Sequence, residues 1–111
     1  MKHNPFDIVK RFEESIAAYT GSKYAVAIDS CTNALFLCCK YLNAEKVTIP
    51  SKTYLSVPMS IIHAGAEVVF DRTLETNQWV GSYQLKPYPI YDSAKRLTSN
   101  MYKAGSFICL S

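Results

Sequence analysis

Five consecutive residues, Asp29-Ser30-Cys31-Thr32-Asn33, place a carboxylate, two hydroxyls, a thiol and an amide in one short segment. They separate an apolar strand-like run, Tyr24 to Ile28, from an apolar helix-like run, Ala34 to Leu42. A strand that passes into a helix through small hydroxyl residues leaves backbone N–H groups free at the helix start. Those groups, the positive end of the helix dipole and the hydroxyls together make a seat for a phosphate. The turn holds no glycine, so it is neither a P-loop nor a dinucleotide fingerprint. Its bland reading is a plain helix N-cap.

Three other positions carry chemical potential. Asp92 follows an apolar run as Asp29 does. A carboxylate at the carboxyl edge of a sheet can hold a cationic nitrogen through a charge-assisted hydrogen bond. Asp92 can equally serve with Ser93 as a helix N-cap. Tyr54 follows a strand and a proline; its ring either stacks on a flat ligand or fills space between helix and sheet. Ser111 offers a hydroxyl to an anion, which alone is a very weak signal.

The surrounding elements must position these groups. Asn4 can cap a first helix, with Pro5 at its first position and Asp7 at its positive end. Phe6, Val9, Phe12 and Ile16 follow helical spacing, with Lys10, Arg11, Glu13 and Glu14 opposite, and Gly21 is the C-cap residue. Such a helix packs on a neighbouring surface, as core or subunit contact. Tyr24 to Ile28 lacks polar alternation and reads as a strand buried on both faces. Ala34 to Leu42 is apolar nearly all round and reads as a buried helix. Lys46 to Ile49 is a short strand stopped by Pro50, and a helix begins near Ser51 to Tyr54. Pro58 falls within about its first turn and Gly65 closes it. Glu67 to Phe70 is a further strand. From Thr73 to Pro87 the pattern weakens, and Trp79, Tyr83 and Leu85 stand isolated in an irregular, surface-covering segment. Tyr88 to Tyr91 and Phe107 to Leu110 are the last two strands. Strands alternating with helices imply an α/β fold with a mostly parallel sheet. Ligands of such sheets bind beyond the carboxyl ends of the strands, where Asp29–Asn33, Ser51–Tyr54 and Asp71 fall.

Composition bounds the function classes. The 111 residues suit one domain, and 49% apolar with 19% charged residues is ordinary for a globular chain. Net charge is +3 and the basic residues are scattered, which argues against a nucleic-acid footprint. Cys31, Cys38, Cys39 and Cys109 show no C-x-x-C spacing and fit free, buried thiols in a reducing cytoplasm. His3 and His63 have no ligand-spaced partners, so no metal site is expected. No signal-peptide core and no membrane span is visible.

In order, these pieces resemble one family. FEESIAAYTGSKYAVAIDSCTNALFL looks like the N-terminus of the DegT/DnrJ/StrS aminotransferases, pyridoxal-phosphate enzymes that aminate nucleotide-linked keto-sugars. VTIPSKTYLSVPMSIIHAGAEVVF resembles that family's P-S-x-T-aromatic helix and A-G-A strand entry. PIYDSAKRL resembles its strand-Asp-small-Ala block, and GSFICLS the strand leading to its cofactor-lysine segment. The matches cover most of residues 12–70 and 88–111.

The resemblance implies an incomplete fold type I large domain over 1–111, aspartate aminotransferase-like. Its parts are the N-terminal helix (1–22), the phosphate-turn and stacking βα units (23–71), an irregular piece (72–87), and the Asp92 strand with the final strand (88–111). It implies pyridoxal 5'-phosphate as cofactor. Thr32 and Asn33, beside Cys31, match the phosphate turn. Tyr54 matches the aromatic that stacks on the pyridine ring, Asp92 the carboxylate at the pyridine nitrogen, and Ser111 a serine on the phosphate. It also implies a cytoplasmic homodimer taking an amino donor, usually glutamate, and a keto-sugar nucleotide or similar carbonyl compound.

There are departures. Cys31 stands where glycine or alanine is commoner. Lys95 stands where Gln or His is usual near the ring hydroxyl; it can bind the phenolate oxygen or point into solvent. The stretch between Phe70 and Tyr88 is short, so the sheet should lack elements. The family's Schiff-base lysine lies a few residues beyond the position of Ser111, and neither Lys95 nor Lys103 matches it. The expectation is therefore a truncated or inactive form of an aminotransferase. The alternatives are a non-catalytic phosphate- or partner-binding α/β module, and a small α/β domain in which Thr32 and Asp92 are only caps.

Overall fold

A computed structural model describes residues 5–73 and 81–111. Asn4, His3 and Trp79 lie outside the described residues. Among these residues three α-helices and five strands follow in order: α1 (Pro5–Thr20), α2 (Cys31–Tyr41), β1 (Lys46–Pro50), α3 (Ser56–His63), β2 (Glu67–Asp71), β3 (Tyr83–Gln84), β4 (Ile90–Ser93) and β5 (Phe107–Leu110).

β1 and β2 pair in parallel, from Lys46 with Glu67 to Pro50 with Asp71. β4 and β5 also pair in parallel, from Ile90 with Phe107 to Ser93 with Leu110. β3 runs antiparallel to β4, setting Tyr83 opposite Asp92. Just past β3, Lys86 exchanges both backbone hydrogen bonds with Thr48, at 2.8 and 3.0 Å. That antiparallel bridge ties the two ladders together. The short 71–87 stretch thus adds one antiparallel strand, where the expectation was irregular chain. A two-residue strand leaves no periodicity to read.

The core lies where α2 and α3 pack over β1, β4 and β5. It contains Leu35 and Cys39 from α2, Val57 and Ile61 from α3, and Val47, Ile49, Leu85, Ile90 and Cys109. Leu85, expected on the surface, is fully buried; its N–H donates to Ile90 O at 2.8 Å, which fixes it beneath the helices.

Other expectations are corrected. Residues 24–28 form no strand, and Tyr24 and Val26 are 74% and 76% exposed. A strand needs a neighbour to complete its ladder, and here Ala27 N–H bonds instead to Glu13 Oε2 at 2.7 Å. α2 buries one face only, since Leu37 and Tyr41 are exposed. α3 begins at Ser56 rather than near Ser51, still with Pro58 in its first turn. β4 extends through Asp92 and Ser93, so Asp92 is within the strand and not after it.

The helix ends follow the sequence more closely. Gly21 (φ +81°) ends α1 by donating its N–H to Ala17 O. Further anchoring comes from Asn100 and Tyr102, whose N–H groups donate to Tyr19 O and Thr20 O. Within the helix only Ala17 and Thr20 are buried, so its apolar stripe, including Phe6 and Phe12, is not part of the core. No described helix is long and apolar enough to cross a membrane.

Candidate functional site

β1 and β4 point the same way, so Pro50 and Ser93 reach the same sheet edge. Antiparallel β3 starts at that edge. The three meet around a cavity of about 460 Å3. Lys52, Thr53 and Tyr54 line it from the turn after β1, Gly81, Ser82 and Tyr83 from the start of β3, and Asp92, Ala94 and Lys95 from the end of β4. This is the carboxyl edge at which ligands of parallel sheets bind.

Asp92 is 6% exposed. Its Oδ1 accepts the Ala94 N–H at 3.1 Å and lies 3.6 Å from the Cys31 thiol, which points at it as a donor. Its Oδ2 accepts the Tyr83 hydroxyl at 2.6 Å. A buried carboxylate is tolerated when such donors replace water. The donors respond in turn. Burial first, then the bond to Asp92 and its charge, hold the Tyr83 phenol well above its ordinary value. Burial and the Asp92 charge push the Cys31 thiol up to about 12.

Tyr54 is 63% exposed, with the Lys95 ammonium 4.9 Å from its ring centroid. That separation is within cation–π range. Gly81 has φ +75°, and a Cβ there would stand 3.0 Å from Lys95 O. Only glycine lets the β3 entry pass this close to the segment after β4.

The Asp29–Asn33 turn forms the start of α2. Ser30 is its N-cap, its hydroxyl accepting the Asn33 N–H at 3.1 Å. Asn33 Nδ2 donates to Asp29 Oδ1 at 2.8 Å. The N–H groups of Cys31 and Thr32 stand ahead of the first intrahelical bond, Ala34 N–H to Ser30 O. Thr32 donates its hydroxyl hydrogen to Ser56 Oγ at 3.1 Å, joining the starts of α2 and α3.

Of the sequence-predicted residues, Tyr54, Asp92 and Lys95 share the cavity, and Cys31 reaches Asp92 from α2. Thr32 and Asn33 line a separate concavity with Phe36, Ser56, Met59, Ser60 and His63. Ser111 lines neither, but follows Leu110, the ladder partner of Ser93, off the same sheet edge. Sequence reasoning missed Gly81, Ser82 and Tyr83. Lys52 and Thr53 belong to the Ser51–Tyr54 segment expected at the carboxyl edge, with no individual role assigned to either. Among the described residues, no group of His, Cys, Asp or Glu side chains is placed to hold a metal ion.

Residues 4–79 match the DegT/DnrJ/EryC1/StrS aminotransferase family. The chain is similar to the spore coat polysaccharide biosynthesis protein SpsC of Bacillus subtilis (strain 168), being 43% identical over 65 residues. That stretch is 56% of this chain and 17% of SpsC, so the chain matches under a fifth of that relative's length. No solved structure matches. The family match spans well over half of the 111 residues and includes both the phosphate-turn segment and Tyr54, so the chain belongs to the DegT/DnrJ/EryC1/StrS aminotransferase family.

Proposed function

We propose that this chain contributes the cofactor cradle of a pyridoxal-phosphate-dependent aminotransferase that delivers an amino group to a keto-sugar nucleotide or similar carbonyl compound. One observation carries the reading: Asp92, a nearly buried carboxylate, faces a small-molecule-sized cavity that Tyr54 also lines. About 460 Å3 falls within the usual range of ligand sites, roughly 300–1,000 Å3. Among the described residues, Asp92 Oδ2 accepts from Tyr83, and a carboxylate oxygen has two acceptor positions. An acceptor for a protonated ring nitrogen is therefore still available.

The donor set fits the cofactor. Asp92 would hold a proton on the pyridine nitrogen, and Tyr83 and Ala94 fix that carboxylate. Tyr54 supplies a ring face, and Lys95 a cation for an anionic oxygen. Cys31 and Thr32 would offer the phosphate the two N–H groups ahead of the first bond of α2, with Asn33, whose N–H is held by Ser30, beside them and Ser111 at the neighbouring strand end. Pyridoxal phosphate supplies an electron sink for carbanion chemistry when bound. The 111 residues are read as one partial large domain, with the boundaries given above, in a cytoplasmic protein.

The phosphate assignment is tested by equilibrium dialysis with pyridoxal phosphate, pyridoxal and inorganic phosphate. Pyridoxal phosphate should bind at least tenfold tighter than pyridoxal, and Thr32→Val should narrow that ratio. Equal binding of the two would remove the phosphate seat.

A second reading, partner binding, is favoured by the apolar stripe of α1. Phe6, Ile8 and Phe12 are 78%, 64% and 59% exposed. The same surface is the proposed homodimer contact. Sedimentation should show a dimer in the wild type and a monomer in Phe6→Glu/Phe12→Glu; a wild-type monomer would set this aside.

A further inference from the structure

The four cysteines are free and gather around the α2–β5 contact. Cys38 on α2 and Cys109 on β5 face each other with their sulfurs 3.9 Å apart, although 71 residues separate them in sequence. Cys38 is half-buried and so within reach of a small reagent, whereas Cys109 is buried. Cys39 is adjacent in sequence to Cys38 but buried, and neighbouring helical positions do not face one another. The Cys31 thiol is engaged with Asp92 Oδ1 and the Cys109 carbonyl. The Cys38–Cys109 pair thus joins a partly accessible sulfur to a second sulfur in direct contact with it.

We propose that Cys38 and Cys109 form an oxidisable dithiol, a modification site that closes to an intramolecular disulfide with low-molecular-weight disulfides such as oxidised glutathione. The chemistry balances in two exchanges. The Cys38 thiolate attacks one sulfur of glutathione disulfide; its S–S bond breaks and one glutathione thiolate leaves. The Cys109 thiol then loses its proton and attacks the Cys38 sulfur of the mixed disulfide, expelling the second glutathione. Two cysteine thiols are oxidised by two electrons, and one glutathione disulfide is reduced to two glutathiones.

The order of attack follows from the surroundings. The hydrogen bond with Cys109 lowers the Cys38 thiol below its ordinary value. The same bond, together with burial, holds Cys109 well above it. Burial holds Cys39 up at about 11, and Cys31 stands at about 12. Cys38, the partly exposed sulfur of the pair, is accordingly the attacking thiolate, and the buried Cys109 is the resolving thiol. The bond would form beside the candidate site, because Cys109 is the ladder partner of Asp92. The proposal does not depend on cofactor binding.

The test uses the chain equilibrated in glutathione buffers from fully reduced to fully oxidised, then alkylated and weighed intact. Oxidation should take the free thiols from four to two with loss of two hydrogens and no retained glutathione. Trypsin should yield a peptide from 24–40 linked to one from 104–111, with fragmentation placing the bond on Cys38. Cys109→Ser should retain one glutathione at Cys38, and Cys38→Ser should retain none at either position. Cys31→Ser/Cys39→Ala, which keeps only the proposed pair, should still close. Linkage through Cys31 or Cys39, a stable mixed disulfide in the wild type, or four free thiols in fully oxidised buffer would each overturn it.

Discussion

The Tyr83 hydroxyl donates to Asp92 Oδ2 over 2.6 Å, joining the antiparallel β3 to the carboxylate of β4. The two residues are ladder partners, so the backbone register and the side-chain bond reinforce each other. Tyr83→Phe removes the donor and leaves one carboxylate oxygen short of a partner. Hydrogen bonds to charged groups are worth roughly 1.5–3 kcal/mol, less where water can substitute. We expect Tyr83→Phe to lower stability by about 1–2 kcal/mol in urea unfolding. A midpoint equal to that of wild type would mean the bond contributes nothing.

Leu85 is fully buried between β1, β4 and the helices. Leu85→Ala leaves a cavity in the middle of the core and should cost about 2–5 kcal/mol. For a small domain that is a large part of the total. Circular dichroism should show a sharply lowered melting temperature, whereas Leu97→Ala, at an exposed position, should change it little. Equal effects would place Leu85 outside the core.

Stability should fall on the alkaline side. Cys31 moves from 9.0 in the unfolded chain to about 12, and Cys39 to about 11. Tyr83 rises above its ordinary 10. For each, the folded state keeps a proton that the unfolded state has lost, so stability falls as pH rises. Their contribution is fully present below about pH 9 and is lost between about 9 and 12. Cys38 is shifted the opposite way, so its contribution rises as pH approaches 9. The urea midpoint should be lower at pH 11 than at pH 8, and the drop should shrink in Cys31→Ser. A midpoint that holds from pH 8 to 11 would contradict these shifts.

Much of the positioning frame was legible because it rests on local pattern. The helical spacing of Phe6 to Ile16, a helix cap within the Asp29–Asn33 turn, the strand before Pro50 and the glycines after α1 and α3 are short-range signals. The structure carries all of them. Tyr83 and Leu85 were illegible because their roles arise from pairing across the sheet. Residues 24–28 misled for a related reason: apolar composition marks a strand's faces, while the strand itself depends on a neighbour. At the candidate site, Asp92 and Tyr54 were readable from motif order, and the cavity unites them. Thr32 and Asn33 fall in a separate concavity, a separation that order along the chain does not encode.

The proposed role of Asp92, as acceptor for a protonated ring nitrogen in the cavity it shares with Tyr54, makes it the residue on which cofactor affinity should depend most. The direct measurement is the dissociation constant of pyridoxal phosphate for the wild-type chain and for Asp92→Ala, with folding checked by circular dichroism. Loss of a charge-assisted bond of at least about 1.4 kcal/mol predicts a rise of tenfold or more. An unchanged dissociation constant in a folded Asp92→Ala chain would contradict the account.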